Sequence, residues 1–360
     1  MKKPTRDAGV AVTMAALLAL ASGCGAGSEE PGAEEPLELR LVHEEGDADV
    51  QGQYAQRFQE LIEERTDGRM EVTLYAAGQL GTDQDKLKMV EDEAVQAAIS
   101  TPNITASIVE ENQVFSIPFV FSDEMEVNRE VLRSSSALNE DLAGIYRERG
   151  VEVLSYWTEG FMAWTSNRPI EEPEGMEGLR IRTMTSPMLL RSYEQIGANP
   201  MPMDAGEIYT ALQTHMIDAT ENPLFFIHSG NTYEVQDYLT LGRHDIYVTS
   251  TIMNADFLEG LPAEDRETVE EVVDELDEWV FELQEEMNDD ALAAMEESTV
   301  EITELTDEQR ETYREMSLPA REDYAETAGQ PGAGILEDLV AEIEQAEAAL
   351  EADIQEEDAQ

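Results

Sequence analysis

Residues 181–223 read Ile181-Arg-Thr-Met-Thr-Ser-Pro-Met-Leu-Leu-Arg-Ser-Tyr-Glu-Gln-Ile-Gly-Ala-Asn-Pro-Met-Pro-Met-Asp-Ala-Gly-Glu-Ile-Tyr-Thr-Ala-Leu-Gln-Thr-His-Met-Ile-Asp-Ala-Thr-Glu-Asn-Pro223. The stretch opens on a short strand signal that ends in the charged Arg182. Leu189, Leu190, Tyr193 and Ile196 then recur at helical spacing, and Gly197 stops the run. Asn199, Pro200 and Pro202 spell a turn. Ile208, Leu212 and Gln213 mark a second short helix, and Asp218 to Pro223 closes the stretch. Strand, helix, strand, helix is the rhythm of an open α/β layer. Ligands of such layers lie beyond the carboxyl ends of the strands, which is where Arg182 and Asn222 fall.

Outward from this stretch, the chain before it reads as a first α/β lobe. Leu37, Leu39 and Leu41 alternate as a strand ending at His43-Glu44-Glu45-Gly46. A helix follows, with Tyr54, Phe58, Leu61 and Ile62 on one face. Met70, Val72 and Leu74 make a second strand, and Ala97 to Ser100 a short buried one. The apolar run Phe115 to Phe121 reads as a strand or a packed loop, with Pro118 against a central strand. Helices are expected over Met125–Leu132 and Leu138–Arg149. Val151 to Ser155 is a strand, and Phe161 to Trp164 reads as another that enters a second lobe.

After the opening stretch, Tyr238–Leu241 and Tyr247–Met253 are strand-like. Val269, Val272, Val273, Leu276, Val280, Leu283 and Met287 recur at threes and fours and predict one helix over about 263–297. At 1.5 Å per residue it is about 50 Å long, enough to brace two lobes. A coiled coil is the rival reading, although strict heptads are missing. Val300, Ile302 and Leu305 suggest one more strand. Pro331 and Gly334 set off a final amphipathic helix from Ile335. The expected division is 37–158 for lobe 1, with a return segment at about 246–285. Lobe 2 is 159–245, with C-terminal elements at about 286–330. Residues 331–360 form the last helix and tail.

The charge limits the partners. Eighty acidic residues stand against 22 basic ones, a formal net charge of −58, and the lysines are Lys2, Lys3, Lys86 and Lys88. Such a surface repels nucleic acid and anionic membranes, and it repels itself unless salt screens it. We therefore expect a protein that works in high salt. Lys2, Lys3 and Arg6 precede an apolar run, Val10 to Ala21, too short to span a bilayer. The sequence Leu20-Ala-Ser-Gly-Cys24 resembles a bacterial lipobox, so residues 1–23 read as a lipoprotein signal peptide and Cys24 as the lipidated residue. Ordinary secretion with a free cysteine is the alternative. Residues 24–36, rich in Gly, Glu, Pro and Ser, read as a flexible tether.

Catalytic motifs are absent. There is no Walker A loop, no Gly-x-Gly-x-x-Gly, no Gly-x-Ser-x-Gly and no His-Glu-x-x-His, so no cofactor or metal is expected. With so many carboxylates, a hydrolase using a paired Asp/Glu stays open by inventory alone.

Several spaced motifs together carry a resemblance. Glu64-Arg65-Thr66-Asp67-Gly68-Arg69, Ala77-Gly78-Gln79-Leu80-Gly81, Gly178-Leu179-Arg180-Ile181-Arg182, Gly197-Ala198-Asn199-Pro200, Gly206 to Gln213 and Glu221-Asn222-Pro223 stand in this order. The chain from about Leu37 to Met316 thus resembles the DctP-like solute-binding proteins of TRAP transporters. That resemblance implies an α/β, two-lobed periplasmic-binding-protein-like fold with a cleft between lobes and a long helix spanning both. It implies binding without catalysis, in an extracytoplasmic compartment. It also implies delivery to a membrane permease of one small and one large subunit. Arg182 would anchor a ligand carboxylate bidentately, with Asn222 beside it. Where the family often carries a second arginine after Gly-Phe, this chain has Met162, which implies a ligand with less negative charge.

A narrower set, His43-Glu44-Glu45, Gly52, Ile181 to Pro187 and Glu221 to Gly230, resembles the ectoine- and hydroxyectoine-binding branch. By that resemblance Glu45, next to Glu44, holds the cationic end of the solute. Arg182 and Asn222 hold its carboxylate, and Phe226 forms one wall. Ile104 and Ala205 stand where aromatic residues are expected, which implies a looser pocket or a different solute. A 2-oxo or hydroxy monocarboxylate is the alternative ligand, and a binding protein that feeds a sensor is the alternative role.

Overall fold

The computed structural model describes residues 36–358. The expectations for the signal peptide, the tether and Cys24 lie outside the described residues, apart from Pro36. Nine strands form one hydrogen-bonded sheet. They are β1 (Leu37–Val42), β2 (Met70–Tyr75), β3 (Ala97–Ser100), β4 (Val151–Ser166), β5 (Arg180–Thr183), β6 (Asn199–Pro202), β7 (Ala219–Pro223), β8 (Tyr238–Asn254) and β9 (Glu301–Glu304). Their order is β2-β1-β3-β8-β4-β7-β5-β6, with β9 on β8.

The two long antiparallel strands β4 and β8 make the sheet double. The first half of β4 and the second half of β8 pair with each other, and β3 extends them through Ala97↔Met253 toward β1 and β2. The second half of β4 takes β7 through Ala163↔Asn222, and the first half of β8 takes β9. Between these halves the β4–β8 ladder is irregular, with register shifts from Thr158 through Ala163. Gly160 there has φ +108°, open to glycine and strained for other residues. A Cβ at that position would lie 2.5 Å from the side-chain nitrogen of Asn288.

This arrangement corrects the sequence reading in four places. Val151–Ser155 and Phe161–Trp164 belong to one strand, as do Tyr238–Leu241 and Tyr247–Met253. The glycines and polar residues at each crossing look like strand ends because the ladder breaks there without the chain turning away. Asn199 to Pro202 is a strand and not a turn. It sits at the sheet edge, paired in parallel with β5 alone, so its prolines meet no partner on the outer side. Of the two forms expected for Phe115 to Phe121, the packed loop is the one found: 3-10 turns over Glu110–Ser116 lead into residues 117–121, which are in neither helix nor strand and bury Ile117, Phe119, Val120 and Phe121. At the C-terminus one helical run covers Asp307–Asp358 and breaks at Gly329 (φ 67°, ψ −158°), before the expected stop at Pro331. Pro331 then falls in the first turn of the second segment, where its missing N–H is harmless.

The expected long helix runs Ala263–Glu296, and its buried face includes Val269, Val272, Val273, Leu276 and Val280. These pack with β1 and the helix Val50–Arg65 in one apolar cluster, which also takes in Phe225 and Ile227 from beyond β7. The helix therefore ties the two halves together. The terminal helix buries Tyr324, Ile335, Leu336, Leu339 and Ile343 against Val114, Phe115, Leu138 and Tyr146. By burial of apolar area this segment belongs to the body of the protein.

Candidate functional site

β1, β2 and β3 are parallel to each other, and so are β5, β6 and β7. The carboxyl ends of β1 and β3 face those of β5 and β7 across a cleft, whose floor is the crossing of β4 and β8. The cavity there holds about 610 Å³, its mouth included. Glu44 and Glu45 enter it from the end of β1 and Ile104 from beyond β3. Arg182 comes from β5, Ala205 from beyond β6, and Asn222 and Phe226 from β7 and the short helix after it.

Met162 does not line this cavity. It is buried in the apolar cluster that also includes Ile104, Met184 and Tyr247, and it faces a second cavity beside the long helix. The irregular ladder after Gly160 turns it to that side. Glu159, Tyr247, Asp83, Gln84, Met184 and Asp204 line the main cavity and escaped the sequence reading. Glu159 had one legible signal, a lone carboxylate inside the apolar run Tyr156 to Trp164. Tyr247 had none, since its place depends on a strand crossing that local pattern does not reveal.

The charges are arranged in two poles. Arg182 is 5% exposed, and its Nε donates to the carbonyl of Met203 at 3.1 Å. No carboxylate pairs with it among the described residues. Burial pushes its pKa below the usual arginine value, with Tyr247 and Glu221 opposing. A guanidinium so placed presents its fork to the cavity. Asn222 lies beside it on β7, its Nδ2 donating to Thr220 Oγ1 at 3.2 Å. Beneath, Tyr193 and His244 both hold the carboxylate of Glu221, and Trp164 stacks on His244 at 3.7 Å. This buried network fixes β7 and so the position of Asn222.

The opposite pole is built of carboxyl groups. Thr101 donates to Glu44 Oε2 from its N–H (3.0 Å) and its hydroxyl (2.7 Å), while Oε1 has no partner. Burial and nearby Asp83 push the Glu44 carboxyl up to about 8, with Lys86 and Thr101 opposing. Gln51, fully buried in the helix Val50–Arg65, organises the loop. Its backbone N–H donates to Glu45 Oε2 (3.0 Å), its Nε2 to Glu159 Oε1 (2.9 Å), and its Oε1 accepts from the Glu44 N–H (2.9 Å). Gly52 lets the loop lie flat on this helix: a Cβ there would come within 2.2 Å of the Gly46 carbonyl. Such a cavity, with a guanidinium at one end and carboxyl groups at the other, suits a small ion with both charges.

A family model for the bacterial extracellular solute-binding proteins, family 7, named DctP, matches residues 41–327. The chain belongs to this family. The ectoine-binding periplasmic protein TeaA of Halomonas elongata is 36% identical over 308 residues, 84% of this chain and 89% of TeaA. The ectoine/5-hydroxyectoine-binding periplasmic protein UehA of Ruegeria pomeroyi is 34% identical over 331 residues, 91% of this chain and 95% of UehA. The high-resolution structure of the ectoine-binding protein of the Halomonas elongata TeaABC TRAP transporter aligns with a TM-score of 0.82 at 33% identity. It covers 86% of this chain and 99% of that one. The DctP-family chain is thus an extracytoplasmic solute-binding protein of the TRAP-transporter class, with the two-lobed fold of that class, and not an enzyme.

Proposed function

We propose that the cleft captures ectoine or hydroxyectoine and presents it to a membrane permease of one small and one large subunit. The observation that carries this reading is the two-pole cavity. Arg182 and Asn222 line one end, and Glu44 and Glu45 lie at the other. Ectoine is a cyclic zwitterion whose carboxylate and delocalised cation match these poles. Phe226 offers an apolar wall to its ring. The relatives named for ectoine support the same choice. In this reading residues 37–158 with 246–285 form one lobe, and 159–245 with 286–330 the other. The crossing of β4 and β8 near Glu159 and Ile246 supports that division.

Isothermal titration of the purified protein in molar salt tests the ligand. Ectoine and hydroxyectoine should bind, while succinate, pyruvate and lactate should give no saturable heat. Binding of a monocarboxylate without ectoine would replace the ligand and turn attention to Ile104 and Ala205 as residues that reshape the pocket. The lipid anchor belongs to the same proposal and rests on the Leu20-Ala-Ser-Gly-Cys24 sequence. Metabolic labelling with a radioactive fatty acid should mark the wild type and not Cys24→Ala; equal labelling of both removes the anchor.

A further inference from the structure

Glu159 sits at the floor of the cleft, where β4 crosses between the halves of the sheet, and it is fully buried. Its Oε1 accepts from Gln51 Nε2 (2.9 Å) and from the hydroxyl of Thr249 (2.5 Å). Its backbone carbonyl accepts from Asn288 of the long helix (2.8 Å). Glu45 stands beside it: the two carboxyls line the same end of the cavity and are both held by Gln51, whose backbone N–H donates to Glu45 Oε2 (3.0 Å), while Glu159 Oε2 has no donor among the described residues. Two carboxyls in contact form a hydrogen bond only when one carries a proton.

The surroundings supply no competing cation. From the loop after β1 come Glu44 and Asp49, and from the helix that follows comes the neutral Gln51. From β8 come Tyr247 and Thr249, and from the long helix Gln284 and Asn288. Lys86 lies beyond Glu44 and is bound to Asp83 at 2.6 Å. Arg182 belongs to the opposite pole of the cavity. Among the described residues neither Glu45 nor Glu159 forms an ion pair. Like charges in contact and out of water do not both ionise readily.

We infer that Glu45 and Glu159 act as one unit that holds a single shared proton in the empty cleft, and that a cationic solute displaces this proton on binding. The inference rests on the zwitterion reading above and deepens it: Glu159 becomes a specificity-determining residue for the cationic end. The balance is simple. One proton leaves a carboxyl for solvent, the pair becomes dianionic, and the solute cation compensates the new charge. A solute without a cation leaves the proton in place. Burial and the neighbouring Glu159 hold the proton of Glu45 well above the usual carboxylate range, and burial raises that of Glu159, with its hydrogen bonds opposing. The sign for stability follows. The folded empty protein binds this proton more tightly than the unfolded chain does. The associated stability is full below the ordinary carboxylate pKa and is lost as pH rises through the raised folded value. A bound cation replaces the proton, so affinity for a zwitterion rises with pH, by at most about tenfold per unit, while affinity for a monocarboxylate does not rise.

Two measurements on the full protein test this. Titration of ectoine at pH 7 in buffers of different ionisation enthalpy counts released protons. We expect the wild type to release close to one proton more than Glu159→Gln, the proton of Glu44 being common to both. Infrared difference spectroscopy of the empty protein should show a protonated carboxyl band that is lost in both Glu159→Gln and Glu45→Gln and on adding ectoine. Tight ectoine binding with no proton release, or no carboxyl band that depends on Glu159 or Glu45, overturns the inference. If ectoine does not bind at all, the ligand reading fails and the infrared difference alone decides the shared proton.

Discussion

Arg182→Ala should abolish solute binding while leaving the empty protein as stable as before, or more stable. The two effects have one cause. Arg182 is buried, gives Nε to a carbonyl, and meets no carboxylate of the protein among the described residues. A cation held this way opposes folding through its desolvation, and its removal relieves that penalty. The solute supplies the missing anion. Truncating one partner of a buried charge pair costs about 3–5 kcal/mol, a rise in Kd of about a hundredfold to a few thousandfold. Arg182→Lys keeps the charge and loses the planar fork, so an intermediate loss is expected. Calorimetry gives the affinities and thermal unfolding gives the stabilities. Wild-type affinity in Arg182→Ala would remove Arg182 from the site. A large fall in the stability of the empty variant would make it a structural residue.

The second large effect is on stability in salt. The formal net charge of −58 leaves most acidic side chains without a cation. The long helix shows it locally: Glu267, Glu270, Glu271 and Asp274 stand three and four residues apart, a spacing at which like charges repel. Salt screens these repulsions, and it also weakens favourable pairs such as Arg69–Asp265 (2.7 Å) and Arg147–Glu152 (2.6 Å). Exposed pairs contribute about 0–1 kcal/mol each, and 22 basic residues cannot offset 80 acidic ones. Repulsion therefore dominates, and the Debye length falls from about 10 Å at 0.1 M to about 3 Å at 1 M. Relief of a few kcal/mol moves the midpoint by on the order of 10 °C in a chain of this size. We expect the melting temperature to rise by that amount between 0.1 M and 2 M sodium chloride, with potassium chloride acting equally. A flat or falling midpoint would show that the acidic surface carries no net repulsion.

The sequence made the ends of β5 and β7 legible because glycine, proline and apolar spacing bracket each element closely. Arg182 and Asn222 were placed with them. Glu44 and Glu45 followed from the end of β1, and the long helix from its repeated valines and leucines. Less legible was anything set by the crossing of β4 and β8. Gly160 and the run Gly242-Arg243-His244 interrupt apolar alternation, so each long strand looked like two. The same interruption changes which side a residue faces, which is why Met162 stands behind the cavity and Glu159 within it. The proline-rich β6 looked like a turn because edge position, the feature that tolerates proline, is a property of the sheet and not of the segment. The pairing of Glu45 with Glu159 joins residues far apart in sequence and depends on Gln51, which no local motif marks.

A crystal structure of the protein grown with ectoine decides whether the two poles bind as proposed. The ectoine carboxylate is expected within hydrogen-bonding distance of the Arg182 guanidinium and the Asn222 amide. The ring nitrogens should lie toward Glu45 and Glu159, and the ring against Phe226. Ectoine in the reverse orientation, or a cleft left empty at saturating ectoine, would contradict it.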